Sequence, residues 1–455
     1  MKKVIFISIF EGVEAKNILR TPILDTLLQE PNIQIVLFTK SQERVEYYKK
    51  TFNDPRFIYE VVKPPNIRGL DVIFSVLKFT LLRTRTTDLK RRMALTSSRN
   101  YALFFAASII NRLFARPFVR KLFRFLDLML VRNTMYDQYF ERYKPSLVFL
   151  AHLFDEPEIH LLRATKKRKI KSIGFINSWD KVTARSILRL LPDKCVVFNA
   201  IVKEELMTHN EIKENDIFIG GLPQYDSYLT TPPTDKREFF KKIGFGSDVE
   251  RIIVYAPNGR YSASVDGGMI DVLLSFMKEK QLPSDVGLLV RFQPNDFVDP
   301  TKFTKSDRLV YQMPGIRFSG ERGVDWDMDT GDIKLLINTL YHATLFVCYT
   351  SSLSVDAAVF DKPIINIKFE LKPSADLRQS PTLYYEMDHY RKAVATGGIK
   401  IVQSKDELLK WILLYLNNSS LDHQERRRLV SEQCGIVDGK AGERIGTFIL
   451  NYLHG

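Results

Sequence analysis

The chain has 455 residues, a formal net charge of +14, 45% hydrophobic and 26% charged residues. That length exceeds one ordinary hydrophobic core, so two or three globular domains are expected, and a disordered or low-complexity protein is excluded. Three widely spaced cysteines, Cys195, Cys348 and Cys434, form no CxxC pair, which argues against a disulfide framework or a zinc site and for a reducing compartment.

The opening "MKKVIFISIFEGVEAKN" has a basic start and a short apolar run, but acids follow at once and no small-residue cleavage site is present. It reads as a first β-strand, not a signal peptide. Strand and helix then alternate. "NILRTPILDTLLQE" reads as a helix, "IQIVLFT" as a strand, "SQERVEYYKKTF" as a helix and "FIYEVV" as a strand. After about residue 135 the rhythm resumes with "MYDQYFERYKP" (helix), "SLVFLAH" (strand), "EIHLLRATKKRKI" (helix) and "KSIGFIN" (strand). "KCVVFNA", "IVKEELMTHN" and "DIFIGG" (strand, helix, strand) close this half. Repeated βα units demand a parallel, doubly wound sheet.

A linker is read at 230–236, from the two prolines in "LTTPPTDK". The second half restarts with the strands "RIIVYAP", "VGLLVRFQP", "GIRFS", "LFVCYT", "PIINI" and "IKIVQ", interleaved with helices, and ends in a helical tail. The expected domains are therefore 1–229 and 237–455, two α/β sheets facing across a cleft into which their strand carboxyl ends open.

Charge is not spread evenly. Between Lys78 and Arg132 stand thirteen Lys/Arg against only Asp88 and Asp127, which supplies most of the net excess. This segment, about 70–135, interrupts the βα pattern as a basic helical insertion. Arg112, Arg116, Arg120 and Arg124 recur every four residues, with Phe and Leu off that stripe, and Pro117 predicts two helices in place of one. Such a pattern suits an anionic membrane interface, with the four arginines facing it. The alternative is an apolar face packed on the sheet beneath solvated arginines. No apolar run is long enough to cross a membrane. Nothing resembles a nucleic-acid-binding module, and no nucleic-acid partner is expected.

Candidate chemistry clusters at strand ends. In "LFVCYTSSLSVDAAVF", Thr350, Ser351 and Ser352 stand where a strand turns into a helix. They either cap that helix or mark a phosphate site at its amino end. Asp356, one turn further, is placed to meet a ribose hydroxyl. Asn258, Gly259 and Arg260 follow the first strand of the second half, and Arg291 and Gln293 end the next. Together they read as a diphosphate-binding edge, with Gly allowing close approach and Arg pairing with phosphate. In the first half, Asp180 in "NSWDKVT" and His152 in "LAHLFDEPE" are the candidate acceptor bases, Asp180 ahead of His152, with Glu156 close to the latter. Trp179, Lys181, Gly12 and Asn17 border the presumed acceptor or donor sugar. "DWDMDTGD" lacks the spacing of a calcium loop and reads as a loop with Asp332 capping the next helix. No metal or other cofactor is expected.

The order "YAPNGRY", "LLVRFQPND", "HATLFVCYTSSLSVDAAVFDKPIINI" and "CGIVDGKAGERI" resembles the C-terminal domain of GT-B glycosyltransferases. The nearest branch is the one that includes CDP-glycerol glycerophosphotransferases and capsular or lipopolysaccharide transferases. "IGGLPQYDSY" is similar to that branch's Gly-x-Pro-x-x-Asp turn, and "GFINSWDKVT" to its motif before the hinge. Two departures stand out. Gln293 replaces the histidine of an Arg-x-His-Pro motif, and "NSWDKVT" stands where the glycerophosphotransferases carry His-Gly-Thr. Both histidines thought to serve polyol-phosphate transfer are thus missing. The resemblance implies a metal-independent, nucleotide-sugar-dependent transferase acting on a surface glycan or lipid-linked acceptor from the cytoplasmic face of a membrane. A CDP-polyol phosphotransferase, a UDP-sugar 2-epimerase and a non-enzymatic glycan- or membrane-binding protein are the alternatives.

Overall fold

The computed structural model describes residues 2–259, 263–294, 296, 306–318, 325–372 and 375–455. Its backbone divides into two units. The first comprises Met1–Arg91, Asn100–Leu229 and Gly435–Gly455, and the second Arg92–Arg99 and Thr230–Cys434.

The first unit is built on seven strands: β1 (Lys3–Ser8), β2 (Ile33–Thr39), β3 (Phe57–Val61), β4 (Leu147–Leu150), β5 (Lys171–Phe175), β6 (Lys194–Val197) and β7 (Ile217–Ile219). They lie in the order 3-2-1-4-5-6-7 and every pairing is parallel. β1 sits near the middle, with Ile5 opposite Ile35 on one side and Leu147 on the other. Helices cover both faces, which is why "VIFIS" and "LVFL" are apolar without alternation and fully buried.

The second unit repeats the scheme. β8 (Arg251–Ala256), β9 (Val286–Arg291), β10 (Leu309–Gln312), β13 (Leu345–Cys348), β14 (Ile364–Ile367) and β15 (Lys400–Val402) pair in the order 10-9-8-13-14-15. "GIRFS", expected in this sheet, lies outside it. Ile316–Arg317 (β11) pairs only with Trp326–Asp327 (β12) in a small antiparallel ribbon. Pro314 has no amide to give a ladder, and Gly315 turns the chain with φ +99°. The sheet strand is instead the preceding "LVYQ".

Two further expectations change. The single helix expected over "NILRTPILDTLLQE" is two, Gly12–Ile18 and Pro22–Leu28, because Pro22 starts a new first turn. The tail divides as well. Helix Ala441–His454 packs in the first unit, along Pro22–Leu28. Gly442 and Gly446, four residues apart, give it a smooth face: a Cβ on Gly442 would lie 2.7 Å from Pro22 Cδ, and one on Gly446 2.6 Å from Thr26 Cβ. Its start is held by Asp226, whose carboxylate accepts the amides of Ala441 (2.9 Å) and Gly442 (2.7 Å). The Asp of the Gly-x-Pro-x-x-Asp turn is thus a remote helix cap.

The insertion comprises the helices Leu70–Thr80, Arg85–Ser98, Tyr101–Phe114 and Pro117–Leu130, with the last two bent by 95° where Pro117 was expected to break them. Phe74 packs on Phe123 (5.1 Å between centroids), and Asn111 Nδ2 donates to the carbonyls of Thr80 and Leu82. The arginine stripe divides in a way the spacing did not foretell. Arg112 and Arg116 are exposed, but Arg120 and Arg124 are buried. Both pair with Glu211 (2.5 and 2.7 Å), and Arg124 Nε also donates to the Leu188 carbonyl. Neither faces a membrane. Buried guanidinium groups need a carboxylate partner, and Glu211 on a distant helix end supplies it.

Asp226→Ala should lower the stability of the first unit by about 1–2 kcal/mol, the usual cost of losing a helix cap. Urea unfolding followed by circular dichroism measures this; an unshifted midpoint would show that the helix start is held by something else.

Candidate functional site

In the first unit, three loops leave the carboxyl edge of the sheet side by side, after β1, β4 and β5. They are tied together: Ser8 Oγ accepts the Ala151 amide (3.2 Å) and Asn177 Nδ2 donates to the Ala151 carbonyl (3.0 Å). The β1 loop begins the helix Gly12–Ile18 with a capping box, in which Glu14 Oε2 accepts the amides of Phe10 (2.6 Å) and Glu11 (3.1 Å). The β4 loop carries His152, and the helix Glu156–Lys167 that follows contributes Glu158. One ligand-type atom from each of Glu14, His152 and Glu158 lies within 4.8 Å of the others, and all three residues are about 1% exposed.

Burial governs the protons here. It pushes the Glu14 carboxyl up to about 8, reinforced by the neighbouring Glu11 charge and opposed by the two amides. It pushes Glu158 up too, with Glu14 adding to the effect. It drives His152 well below the ordinary imidazole value, helped by the charges of Lys181, Arg185 and Lys78. The Phe154 amide donates to His152 Nδ1 (3.1 Å), so the neutral ring carries its proton on Nε2. That nitrogen and both Glu158 oxygens have no hydrogen-bond partner.

His152 therefore does not fit the role of base expected of it. One ring nitrogen is engaged, the other already protonated, and the side chain is sealed. The same tautomer makes Nε2 a donor, which does not suit a metal ligand. Nor does Glu156 serve it, since that carboxylate pairs with Lys78 (2.8 Å) and Arg189 (2.6 Å). Asn17 is likewise fully buried, with Nδ2 donating to the Val13 carbonyl. Gly12 is buried at the helix start. The residues that remain within reach of solvent are Trp179, Asp180 and Lys181, all half-buried, in the β5 loop. Ser178 Oγ donates to Asp180 Oδ1 (2.5 Å). Burial lowers the Lys181 ammonium, while Glu11, Glu14 and Asp180 counter it. Glu14 and Glu158 were not anticipated, although Glu11-x-x-Glu14 before an apolar helix is a capping-box signature.

In the second unit the carboxyl edge is shaped by one buried acid. Asp266, in the first turn of the helix Ala263–Lys278, accepts the Tyr255 hydroxyl (2.7 Å) and the amides of Asn258 (2.9 Å) and Gly259 (3.1 Å). Burial raises its carboxyl to about 6. The amides of 258 and 259 are thus spent inside the protein. The turn, with Gly259 at φ +88°, is held in shape by an internal anion and offers those two amides to no external one. Gln293 is exposed beside it, its Nε2 3.4 Å from the Asn258 carbonyl. Arg291 is not at this surface: it is buried, with Nη1 donating to Gln312 Oε1 (2.7 Å). Arg260 lies outside the described residues.

The hydroxyl triplet does stand at the edge. Thr350 and Ser351 are half-buried and Ser352 is exposed, before the helix Leu353–Val359. Beneath it lies a buried polar network. Tyr390 accepts the Ser351 amide (3.1 Å) and touches Ser354 and Asn366 (3.2 and 3.0 Å), while Asn366 Nδ2 also reaches the Tyr349 carbonyl. Ser351 Oγ accepts the Leu353 amide (3.2 Å), so it caps. Asp356 is buried in the first turn of that helix. In "DWDMDTGD" the cap is Asp329, which accepts the Asp332 amide (2.7 Å), with Asp332 reaching back as the third helical residue.

The model of the family described as CDP-Glycerol:Poly(glycerophosphate) glycerophosphotransferase matches residues 179–451. A search of curated proteins finds no match. Among solved structures, the MnaA–UDP complex of S. aureus superposes with a TM-score of 0.54 at 13% identity, covering 100% of this chain and 97% of that one. The UDP-GlcNAc 2-epimerase of Methanocaldococcus jannaschii gives 0.52 at 14% identity, with 99% and 100% covered. The wall teichoic acid polymerase TagF gives 0.51 at 14% identity, with 100% and 89% covered. At such identities these likenesses concern the fold alone, and that fold is GT-B, as the motif order implied.

A carboxyl protonated in the fold up to about pH 8 and ionised above about pH 4.5 when unfolded disfavours folding progressively across that interval. Glu14→Gln should therefore leave stability little changed below about pH 5 and raise it increasingly up to about pH 8, above which the gain levels off. Denaturant unfolding as a function of pH tests this; an effect independent of pH would contradict a protonated Glu14.

Proposed function

The chain belongs to the CDP-glycerol:poly(glycerophosphate) glycerophosphotransferase family, and from that premise we propose that it transfers a sugar, not glycerol phosphate, from a nucleotide-diphosphate donor to an acceptor hydroxyl. The second unit holds the nucleotide at the 350–352 turn, and the first unit supplies the acceptor base. The observation that carries this reading is what stands at the two positions where the resemblance puts histidines. One is Gln293, an exposed amide that takes up no proton. The other is the Trp179-Asp180 step, where the titratable group is a half-buried carboxylate.

Asp180 then removes the acceptor proton as the sugar's anomeric carbon is attacked. Lys181, the next residue, provides a nearby cation, and Trp179 offers a ring for a sugar to stack on. The Thr350 and Ser352 hydroxyls donate to the leaving diphosphate, and this scheme routes no step through a metal. The acceptor is a glycan or a lipid-linked glycan, in keeping with the branch that the motifs resemble. The solved UDP complex among the structural neighbours supports a nucleotide diphosphate as the ligand class. The family's own name keeps polyol-phosphate transfer as the second reading.

A donor panel separates the two. Turnover of a nucleotide sugar with no turnover of CDP-glycerol is expected, and Asp180→Asn should lower kcat by about 100-fold or more, the usual contribution of a general base, without loss of nucleotide affinity. Turnover of CDP-glycerol alone would select polyol-phosphate transfer. Interconversion of a UDP-sugar without acceptor would make the protein an epimerase.

A further inference from the structure

The helix Pro117–Leu130 is built inside out. Its buried residues are Arg120, Phe123, Arg124 and Asp127, three of the four charged. Each charge is satisfied within the unit: the arginines by Glu211, and Asp127 by Arg163 and Arg189 (both 2.8 Å). Its exposed residues include Phe118 (70%), Phe125 (60%) and Met129 (63%). A water-facing helix would have the reverse arrangement.

The inversion extends beyond one helix. Leu70–Thr80, Tyr101–Phe114 and Pro117–Leu130 together hold nineteen of the twenty-four exposed large hydrophobic side chains among the described residues. The helix Leu70–Thr80 packs on both others, through Phe74 with Phe123 and through Asn111 with the Thr80 carbonyl, which gathers these side chains in one part of the unit. Patches of this extent mark a docking face.

Charge identifies the occupant. Between residues 100 and 130 the sole acid is Asp127, which is fully buried, and the exposed charges are Arg112, Arg116 and Lys121. An apolar face whose three helices expose cations and no acid complements a layer that is apolar within and anionic at its margin. Each of the two helices from 101 to 130 has 14 residues, about 21 Å at 1.5 Å per residue, too short for the roughly 30 Å hydrocarbon core. Their 95° bend and their satisfied inner charges further favour lying in the interface over crossing it.

We propose that this face is seated in the interfacial layer of a bilayer with anionic headgroups. Its Phe, Leu, Ile and Met side chains insert among the acyl chains, while Arg112, Arg116 and Lys121 meet headgroup phosphates. Insertion, not electrostatic adsorption, supplies the attachment, since two of the four stripe arginines point inward. This does not depend on which group the enzyme transfers.

Flotation of the full chain with phosphatidylglycerol and with phosphatidylcholine vesicles tests it. The protein should float with phosphatidylglycerol vesicles and lose less than about twofold of its bound fraction in 1 M NaCl, where charge attraction is screened. Phe118→Ser with Leu122→Ser and Phe125→Ser should reduce the bound fraction by about tenfold or more. The same variant should keep the wild-type circular dichroism and melting curve, because these side chains are exposed. Arg112→Glu with Arg116→Glu and Lys121→Glu should abolish the preference for phosphatidylglycerol over phosphatidylcholine. Absence of flotation would overturn the proposal, as would binding that salt removes and the serines leave intact. A dimer seen in sedimentation, dissociated by the serines and indifferent to vesicles, would give the face to a second copy of the chain.

Discussion

Parallel pairing is the constraint from which the rest follows. A strand in a parallel sheet must be followed by a crossover, so every carboxyl end in a unit opens on one edge, and every loop there leads into a helix. β1, β4 and β5 therefore deliver Glu14, His152, Glu158 and Asp180 to one rim of the first unit. β8, β9 and β13 do the same for Asp266, Gln293 and the 350–352 hydroxyls in the second. Residues far apart in sequence become neighbours without any loop having to travel.

The rims solve a common electrostatic problem in different ways. Helix starts crowd together there, and their amides need acceptors. In the second unit Asp266 enters as a buried carboxylate and takes two amides and a hydroxyl, so that its titration is displaced by burial but the turn is rigid. In the first unit Glu14 does the same for its own helix, and beside it burial keeps the proton on Glu158 but keeps His152 neutral. The groups at the margin of each cluster that reach solvent include Asp180 and Ser352.

Much of the fold was legible because buried parallel strands need uninterrupted apolar runs, and "KKVIFISIF" or "LFVCYT" can be little else. "LVYQ" escaped notice because it is four residues long and lies just before Pro314-Gly315, which draws attention to the wrong side of the turn. The candidate site was legible as to edge but less so as to side chain. A four-residue spacing puts Arg112 to Arg124 on one face, yet nothing in that spacing says which way the face turns. The partner that draws Arg120 and Arg124 inward, Glu211, stands almost ninety residues later. Arg291, Asp356, Asn17 and His152 are buried for a related reason: a polar residue at a strand end or in the first helical turns beyond it reads as exposed, while its burial depends on neighbours that only the fold assembles. Asp226 is the converse, a motif residue whose visible work is to cap a helix more than two hundred residues away.

The central claim is that the hydroxyl turn after β13 receives the diphosphate of an activated donor. Hydrogen exchange with mass spectrometry, with and without saturating UDP or CDP, reads that turn directly. Slower exchange at Thr350 and Ser352 on nucleotide addition is the expected result, with the amides of 258 and 259 protected beforehand by Asp266 and those of 351 and 353–355 by Tyr390 and the turn itself. A nucleotide that binds while exchange at 350 and 352 stays unchanged would contradict it.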